Sequence, residues 1–279
     1  MHIARTVEEM KKLRNSIPES QKVGFVPTMG YLHEGHLSLL KQARKENDTV
    51  ILSIFVNPIQ FGPNEDLDRY PRDFERDERL AKEVGTDIIF YPTPEQMYPE
   101  NYSSYVITEG LDKHLCGAKR PGHFKGVMTV VLKLFNITRP HNTYFGQKDI
   151  QQARIIEQMI KDFNLDINMH ICPIVREEDG LAMSSRNVYL SPEERKQAAI
   201  LYKALTNAKS LFEQGERNAE IIIKETEKLV KSSNLAKIDY VEIVDYDTMS
   251  PVKKLGKKSV LALAVYFGKT RLIDNIILE

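Results

Sequence analysis

A chain of 279 residues is long enough for one large domain or two smaller ones, each with its own core. Lysine plus arginine number 39, as do aspartate plus glutamate, so there is no net charge and no basic field of the kind that selects nucleic acid. Two distant cysteines, Cys116 and Cys172, make no disulfide framework, no apolar run approaches the ~20 residues of a membrane helix, and the amino terminus lacks the apolar core of a signal peptide. The expectation is a soluble, cytoplasmic globular protein with no nucleic-acid and no membrane partner.

Thr6 and Glu9 form a capping-box pattern, which predicts a helix to about Asn15. Val23 to Val26 is a short apolar run that fits a buried parallel strand, and Pro27, with no N–H to donate, is expected to end it. Thr28, Met29 and Gly30 turn the chain, with Gly30 free to take a positive φ. From about His33 the apolar residues Leu37 and Leu40 recur at helical spacing up to Glu46. The stretch VGFVPTMGYLHEGH is thus a strand, a glycine turn and a helix start. Free N–H groups and the positive dipole end suit such a start to an anion, and Gly35 lets a ligand approach the backbone. His33 and His36, three apart, add donors on roughly one face. Two other readings stand beside nucleotide binding. One is an incidental surface helix start. The other is a metal half-site, although HEGH is one residue short of His-Glu-x-x-His and no Cys/His cluster completes a zinc site.

Thr49 to Asn57 predicts a second buried strand, followed by the polar turn Asn57-Pro58-Ile59-Gln60. Ligands bind beyond the carboxyl ends of strands in open α/β sheets, so Asn57 and Gln60 are site candidates; a plain turn is the alternative for Asn57-Pro58. Arg72 to Glu83 reads as a charged amphipathic helix with Phe74, Leu80 and Val84 inward, and Asp87 to Tyr91 as a short strand. Pro92 to Tyr105 is expected to be irregular and Leu115 to Gly126 a loop, in which RPGHFKG either clamps an anion or turns the chain. Val127 to Phe135 predicts a buried helix. Thr143 to Phe145 is a short strand that runs into Gly146-Gln147-Lys148-Asp149 and a helix to about Phe163. Lys148 brings a point charge suited to phosphates, and Asp149 either accepts from ribose hydroxyls or caps the helix. Gln152, one turn on, faces the same crevice.

Asp166 to Val175 alternates like a strand. A charged turn, 176–180, then precedes Ser184-Ser185-Arg186, whose two hydroxyls and guanidinium are phosphate donors. Ser191-Pro192 opens a helix correctly. Two long helices are expected within 192–233, and strands near Ile238–Val244, Val260–Phe267 and Arg271–Ile277. The order of elements predicts an α/β chain with a parallel-sheet domain over 1–175 and a smaller α+β domain over 176–279.

PTMGYLHEGHL, FVNPIQF, GQKD followed by Gln152, and GLAMSSRN together resemble the pantothenate synthetase (pantoate–β-alanine ligase) family, and RPGHFKGV and RLIDNI extend the resemblance over essentially the whole chain. HEGH and the Ser-Ser-Arg loop are also similar to the HIGH and KMSKS signatures of the wider nucleotidylyltransferase-like group. Tyr31 stands where the family often has a smaller residue, and Gln147 where Glu is frequent. The resemblance implies a Rossmann-like amino-terminal domain, a carboxyl-terminal lid domain and a homodimer. It implies an AMP-forming ligase that uses ATP with Mg²⁺ to join (R)-pantoate and β-alanine through a pantoyl adenylate. Carried onto these residues, it implies ATP contacts by Met29, Gly30, Tyr31, Leu32, His33, Glu34, Gly35 and His36, by Gly146, Gln147, Lys148 and Asp149, and by Val175, Met183, Ser184, Ser185 and Arg186. His36, with His33, Lys148 and Arg186, would stabilise charge during catalysis. Gln60 and Gln152 would hold pantoate, with Gln60 also bordering β-alanine and Asn57 beside it; the metal's ligands are left unassigned. A transferase of AMP to a phosphorylated substrate, or a non-enzymatic ATP sensor, would share HEGH and the serine-arginine loop. FVNPIQF and RPGHFKG favour the ligase, because merely holding ATP does not require them.

Overall fold

The computed structural model of the chain describes residues 1–63, 65–256 and 258–279. In chain order the elements are β1 (His2–Ala4), α1 (Val7–Ser16), β2 (Val23–Thr28), α2 (Glu34–Glu46), β3 (Thr49–Ile54), α3 (Phe74–Glu83), β4 (Ile88–Phe90), α4 (Pro94–Met97), α5 (Leu115–Lys119) and α6 (His123–Thr138). They continue with β5 (Asn142–Gly146), α7 (Ile150–Asp162), β6 (Asn168–Cys172), α8 (Pro192–Ala198), α9 (Ile200–Glu213), α10 (Ala219–Val230), β7 (Ala236–Asp245), β8 (Ser259–Phe267) and β9 (Thr270–Leu278). These elements gather into two units. The first takes residues 1–108, 120–146 and 155–173; the second takes 109–119, 147–154 and 174–279.

The first unit is built on a parallel sheet ordered β1-β4-β3-β2-β5-β6. Successive side chains of a strand face opposite sides, and both sides are covered here. Val26 and Leu52 pack with Leu37, Leu40 and Ala43 of α2, whereas Phe25 meets Phe135 of α6 edge-on at 6.3 Å. The chain leaves β2 toward β3 on one side and β5 toward β6 on the other. That reversal opens a crevice at the carboxyl ends of β2 and β5, where ligands bind in such sheets. The second unit carries the antiparallel sheet β7-β8-β9. Leu201, Leu205 and Ala208 of α9 and Ile222 and Val230 of α10 bury against Leu261, Leu263 and Val265 of β8. The predicted α/β fold with a smaller α+β part is therefore present.

Several local expectations need correction. β2 does not stop at Pro27 but pairs with β3 through Thr28. Val23 O accepts from His141 N on the β5 side, and Thr28 O accepts from Phe55 N on the β3 side. Alternation therefore aims the Pro27 nitrogen at β5, where pairing has already ended at Phe25–Thr143, so no ladder bond is lost. The supposed loop from Leu115 to Gly126 holds α5 and the start of α6, and α4 lies within the expected irregular stretch. Residues 192–230 form three helices rather than two, because the first run is interrupted at the single residue Ala199, with no Gly or Pro to announce it, besides the break before Ala219 that holds Gly215. The helix expected from Arg72 starts at Phe74, capped by Asp73.

Asn47 ends α2 and fastens it to β5. Its buried amide donates to Ala43 O and Tyr144 Oη, both at 2.7 Å, and accepts from Asn142 Nδ2 at 2.7 Å. Replacing Asn47 with Ala removes these three bonds, leaving Tyr144 Oη only its bond to Glu46 and the Asn142 amide without its acceptor on Asn47, at a cost of about 1–3 kcal/mol. The urea-unfolding midpoint is expected to fall with the slope unchanged; an unaltered midpoint would remove this role.

Candidate active site

The loop after β2 is shaped by two residues in the left-handed region, Gly30 at φ 83° and Tyr31 at φ 50°. Gly30 tolerates that geometry and Tyr31 does not, so something must hold it. Asp77 of α3 does. Its carboxylate is almost wholly buried and accepts from Tyr31 N and Leu32 N, both at 2.7 Å. Burial pushes the Asp77 carboxyl above the usual carboxylate range, against the pull of the two N–H groups and Arg76. Leu32 is buried in the core beyond the turn, and the Arg76 guanidinium lies 5.1 Å from the Tyr31 ring centroid.

This geometry delivers His33 to the N-cap of α2. His33 Nδ1 accepts from Gly35 N at 3.1 Å, and His36 Nδ1 accepts from His33 N at 3.3 Å, a capping box made of two imidazoles. The rings lie 3.9 Å apart, inclined by 30°. A nitrogen that accepts a hydrogen bond carries no proton, so each neutral ring holds its proton on Nε2 and is a donor there. Glu34 pairs with Lys41 at 3.2 Å. Among the described residues no group of three His, Cys, Asp or Glu side chains could hold a metal ion.

Gln60 sits at the end of a 3-10 turn, Pro58–Gln60, just past β3. Asn57 is buried and fully used: Nδ2 donates to Gln60 Oε1 at 3.0 Å and Gly126 O at 3.1 Å, and Oδ1 accepts from Tyr98 Oη at 2.7 Å. Gln60 Nε2 lies 3.2 Å from Met29 Sδ, which joins this turn to the loop after β2. The RPGHFKG segment braces the same turn, a role neither sequence reading gave it. Arg120 binds Glu65 through two bonds of 2.6 Å and donates to His123 Nε2 at 2.9 Å. His123 must then carry its proton on Nδ1, which donates to Gln60 O at 2.9 Å. At Gly126 any Cβ would fall 2.5 Å from Ile59 O and 2.6 Å from Gln60 Cα, so only glycine lets α6 approach this closely. A cavity of about 260 Å³ adjoins the loop, with Met29, Tyr31, Ile54, Phe74, Asp77 and Tyr91 in its walls.

The remaining candidates lie in the second unit, except Gly146, which ends β5 in the first. Gln147, Lys148 and Asp149 form a 3-10 turn leading into α7, with Lys148 Nζ 3.8 Å from Asp149 Oδ2. Gln151 anchors that helix start: its Nε2 donates to Leu111 O and His114 O, both at 2.8 Å. Gln152 beside it is half-buried. Val175 O accepts from Met183 N at 3.0 Å, closing a short hairpin. Ser184 Oγ accepts from Arg186 N at 3.2 Å and opens a 3-10 turn over Ser185–Tyr189, in which Ser185 is buried. Sequence reasoning missed Asp77 and the Glu65–Arg120–His123 chain. Asp77 looked like one surface charge among many and RPGHFKG like an anion clamp or a turn, and the partners Tyr31 and Leu32 of Asp77, Glu65 of Arg120 and Gln60 of His123 are distant in sequence.

The family model for pantoate-beta-alanine ligase matches residues 2–277. Pantothenate synthetases of Thermotoga petrophila and Thermotoga neapolitana are 59% and 58% identical over 279 residues, the whole of this chain and of each relative. A crystal structure of pantothenate synthetase from Thermus thermophilus has a TM-score of 0.94 at 45% identity, covering 99% of both chains. That of pantoate-beta-alanine ligase from Francisella tularensis, complexed with beta-gamma ATP and beta-alanine, has a TM-score of 0.82 at 38% identity, covering 99% of this chain and 97% of that one.

The Glu65–Arg120 pair gives the Gln60 brace a pH signature. Burial raises the Glu65 carboxyl, but the Arg120 hydrogen bonds and charge outweigh it, leaving it below the ordinary glutamate value of 4.5. A depressed folded-state pKa means stabilisation that is complete above 4.5 and lost as pH falls through the lower value. The stability gap between wild type and Glu65→Gln is therefore expected to be constant near neutrality and to shrink below pH 4.5. Thermal unfolding across pH measures it, and a gap independent of pH would contradict the pairing.

Proposed function

The chain belongs to the pantoate-beta-alanine ligase family, and we propose that it condenses (R)-pantoate with β-alanine, converting ATP to AMP and diphosphate through a pantoyl adenylate. The observation that carries this reading is the His33–His36 pair. Both Nδ1 atoms are spent on backbone N–H groups, so both rings are Nε2 donors at the positive end of α2. Preorganised donors at a helix start suit charge that gathers on a phosphoryl group and a leaving diphosphate. The ATP and β-alanine bound by the Francisella relative support the same substrates here.

In the first step a pantoate carboxylate oxygen bonds to the α-phosphorus while the bond to the diphosphate oxygen breaks. In the second, the β-alanine nitrogen bonds to the acyl carbon, the amine loses a proton, and AMP leaves with the former carboxylate oxygen. A displacement of this kind needs positioning and charge stabilisation more than a protein nucleophile. His36 acts as a transition-state donor beside His33, and Lys148 and Arg186 add positive charge. Met29–His36 and Gly146 of the first unit, and Gln147–Asp149, Val175 and Met183–Arg186 of the second, serve the nucleotide. Gln60 and Gln152 hold pantoate without a competing charge; Gln60 borders β-alanine, and Asn57 fixes the Gln60 amide. Mg²⁺ fits as an ion carried in by the phosphates, since it is commonly held by one or two carboxylates plus substrate oxygens, and of the two carboxylates in the candidate set Glu34 is paired with Lys41 and Asp149 would be the one to hold it. Once bound it neutralises phosphate charge. A lid role for 176–279, a homodimer and a cytoplasmic location complete the reading; among the described residues no helix is long and apolar enough to cross a membrane.

Exchange of labelled diphosphate into ATP isolates the first step. It is expected to require pantoate and to proceed without β-alanine. His36→Ala should slow it by roughly 10²–10³-fold, the cost of losing one preorganised donor, with much less effect on ATP binding. ADP and inorganic phosphate as products would overturn the adenylate route, and undiminished exchange in the variant would remove His36 from it.

A further inference from the structure

The RLIDNI segment near the carboxyl terminus has no part in the mechanism above, yet it is the most heavily bonded piece of β9. Asn275 is buried and its amide is fully committed. Nδ2 donates to Gln147 O at 2.9 Å and Lys148 O at 3.0 Å, and Oδ1 accepts from Gln147 Nε2 at 3.2 Å. The two carbonyl partners settle which end of the amide is nitrogen. Asp274, equally buried, accepts from Asn275 N at 2.8 Å and binds both guanidinium arms of Arg176, at 2.6 and 3.0 Å.

Arg176 lies in the other candidate loop. Its backbone bridges to Ala182, its side chain also donates to Gly180 O at 3.0 Å, and its guanidinium stacks 4.1 Å from the Tyr202 ring centroid. One strand thus grips, through consecutive residues, the turn that carries Lys148 and the hairpin that leads to Ser184-Ser185-Arg186. Every group in this chain belongs to the second unit.

We propose that Asn275, held by the Asp274–Arg176 pair, is a positioning residue that fixes the Gln147–Lys148 backbone relative to the 176–186 loop, so that the phosphate-binding groups of both are aligned before ATP arrives. The proposal rests on the ATP-dependent reading above. A bare structural brace would lower stability and weaken every substrate alike. A positioning residue acts through Lys148, so its loss should be felt in the ATP-dependent step and should be non-additive with loss of Lys148.

The test is a double-mutant cycle on the full chain with Lys148→Ala and Asn275→Ala, read by pantoate-dependent diphosphate exchange into ATP, with KM for β-alanine measured in the complete reaction. Asn275→Ala is expected to lower kcat/KM for ATP on the order of 10²-fold, as a small misplacement of a catalytic group does. It should leave the β-alanine KM unchanged. Lys148→Ala should then cost far less in the Asn275→Ala background than in wild type. If Asn275→Ala does not fold, Asn275→Ser, which keeps one donor, takes its place in the cycle. Additive losses, or equal damage to the ATP and β-alanine parameters, would overturn the positioning role while leaving the ligase reading intact. A wild type unable to exchange diphosphate would overturn both.

Discussion

The carboxylate of Asp77 bonded to two successive backbone N–H groups is the contact on which the site depends most. It holds Tyr31 in a left-handed conformation that costs an L-residue roughly 1–2 kcal/mol. With it, Leu32 is directed into the core and His33 arrives at the N-cap of α2 with its ring turned back onto Gly35 N. The arrangement spends buried charge on geometry. Desolvation opposes the ionised carboxyl, and two short charge-assisted bonds offset part of that cost. Loop shape, histidine tautomer and donor direction then follow in turn: the backbone sets the cap, the cap takes both Nδ1 atoms, and the protons are left on Nε2.

The Gln60 turn is solved by the same physics with different parts. A glutamine useful for binding a carboxylate or hydroxyl must present its amide in one orientation, and a short turn cannot impose that alone. Asn57 fixes the side-chain oxygen, the Glu65–Arg120–His123 chain fixes the backbone carbonyl, and Gly126 admits α6 to within contact of both. Each partner is satisfied along its length, which makes such a buried polar network rigid rather than costly. In the second unit Asn275 does for Lys148 what Asp77 does for Tyr31. In all three places a polar side chain holds backbone, and the backbone places a residue proposed to meet substrate.

Much of this was legible in the sequence wherever the signal was local. Apolar run, proline, glycine and paired histidines lie within fourteen consecutive residues, and they specify strand, turn and helix start. The Thr6–Glu9 and Ser191–Glu194 capping boxes are equally local, and both helices start where those residues place them. What stayed hidden was long-range. Asp77 stands between Arg76 and Glu78 in a helix whose charges look solvated, and its partner Leu32 is 45 positions away. His123 reads as one more cation in RPGHFKG, although the carbonyl it serves is 63 positions away. Pro27 misled because its cost depends on which neighbour its nitrogen faces, and strand order is not written in the residues around it. The break at Ala199 has no breaker residue to mark it.

The central claim is that the Asp77 carboxylate, acting through backbone alone, sets the histidines for phosphoryl chemistry. Its most direct test is the rate of pantoate-dependent diphosphate exchange in Asp77→Asn, a change that preserves side-chain shape but replaces one acceptor oxygen with a donor. The account predicts a folded protein whose exchange rate falls on the order of 10²-fold, as a displaced catalytic group does. A folded Asp77→Asn variant that exchanges diphosphate at the wild-type rate would contradict it.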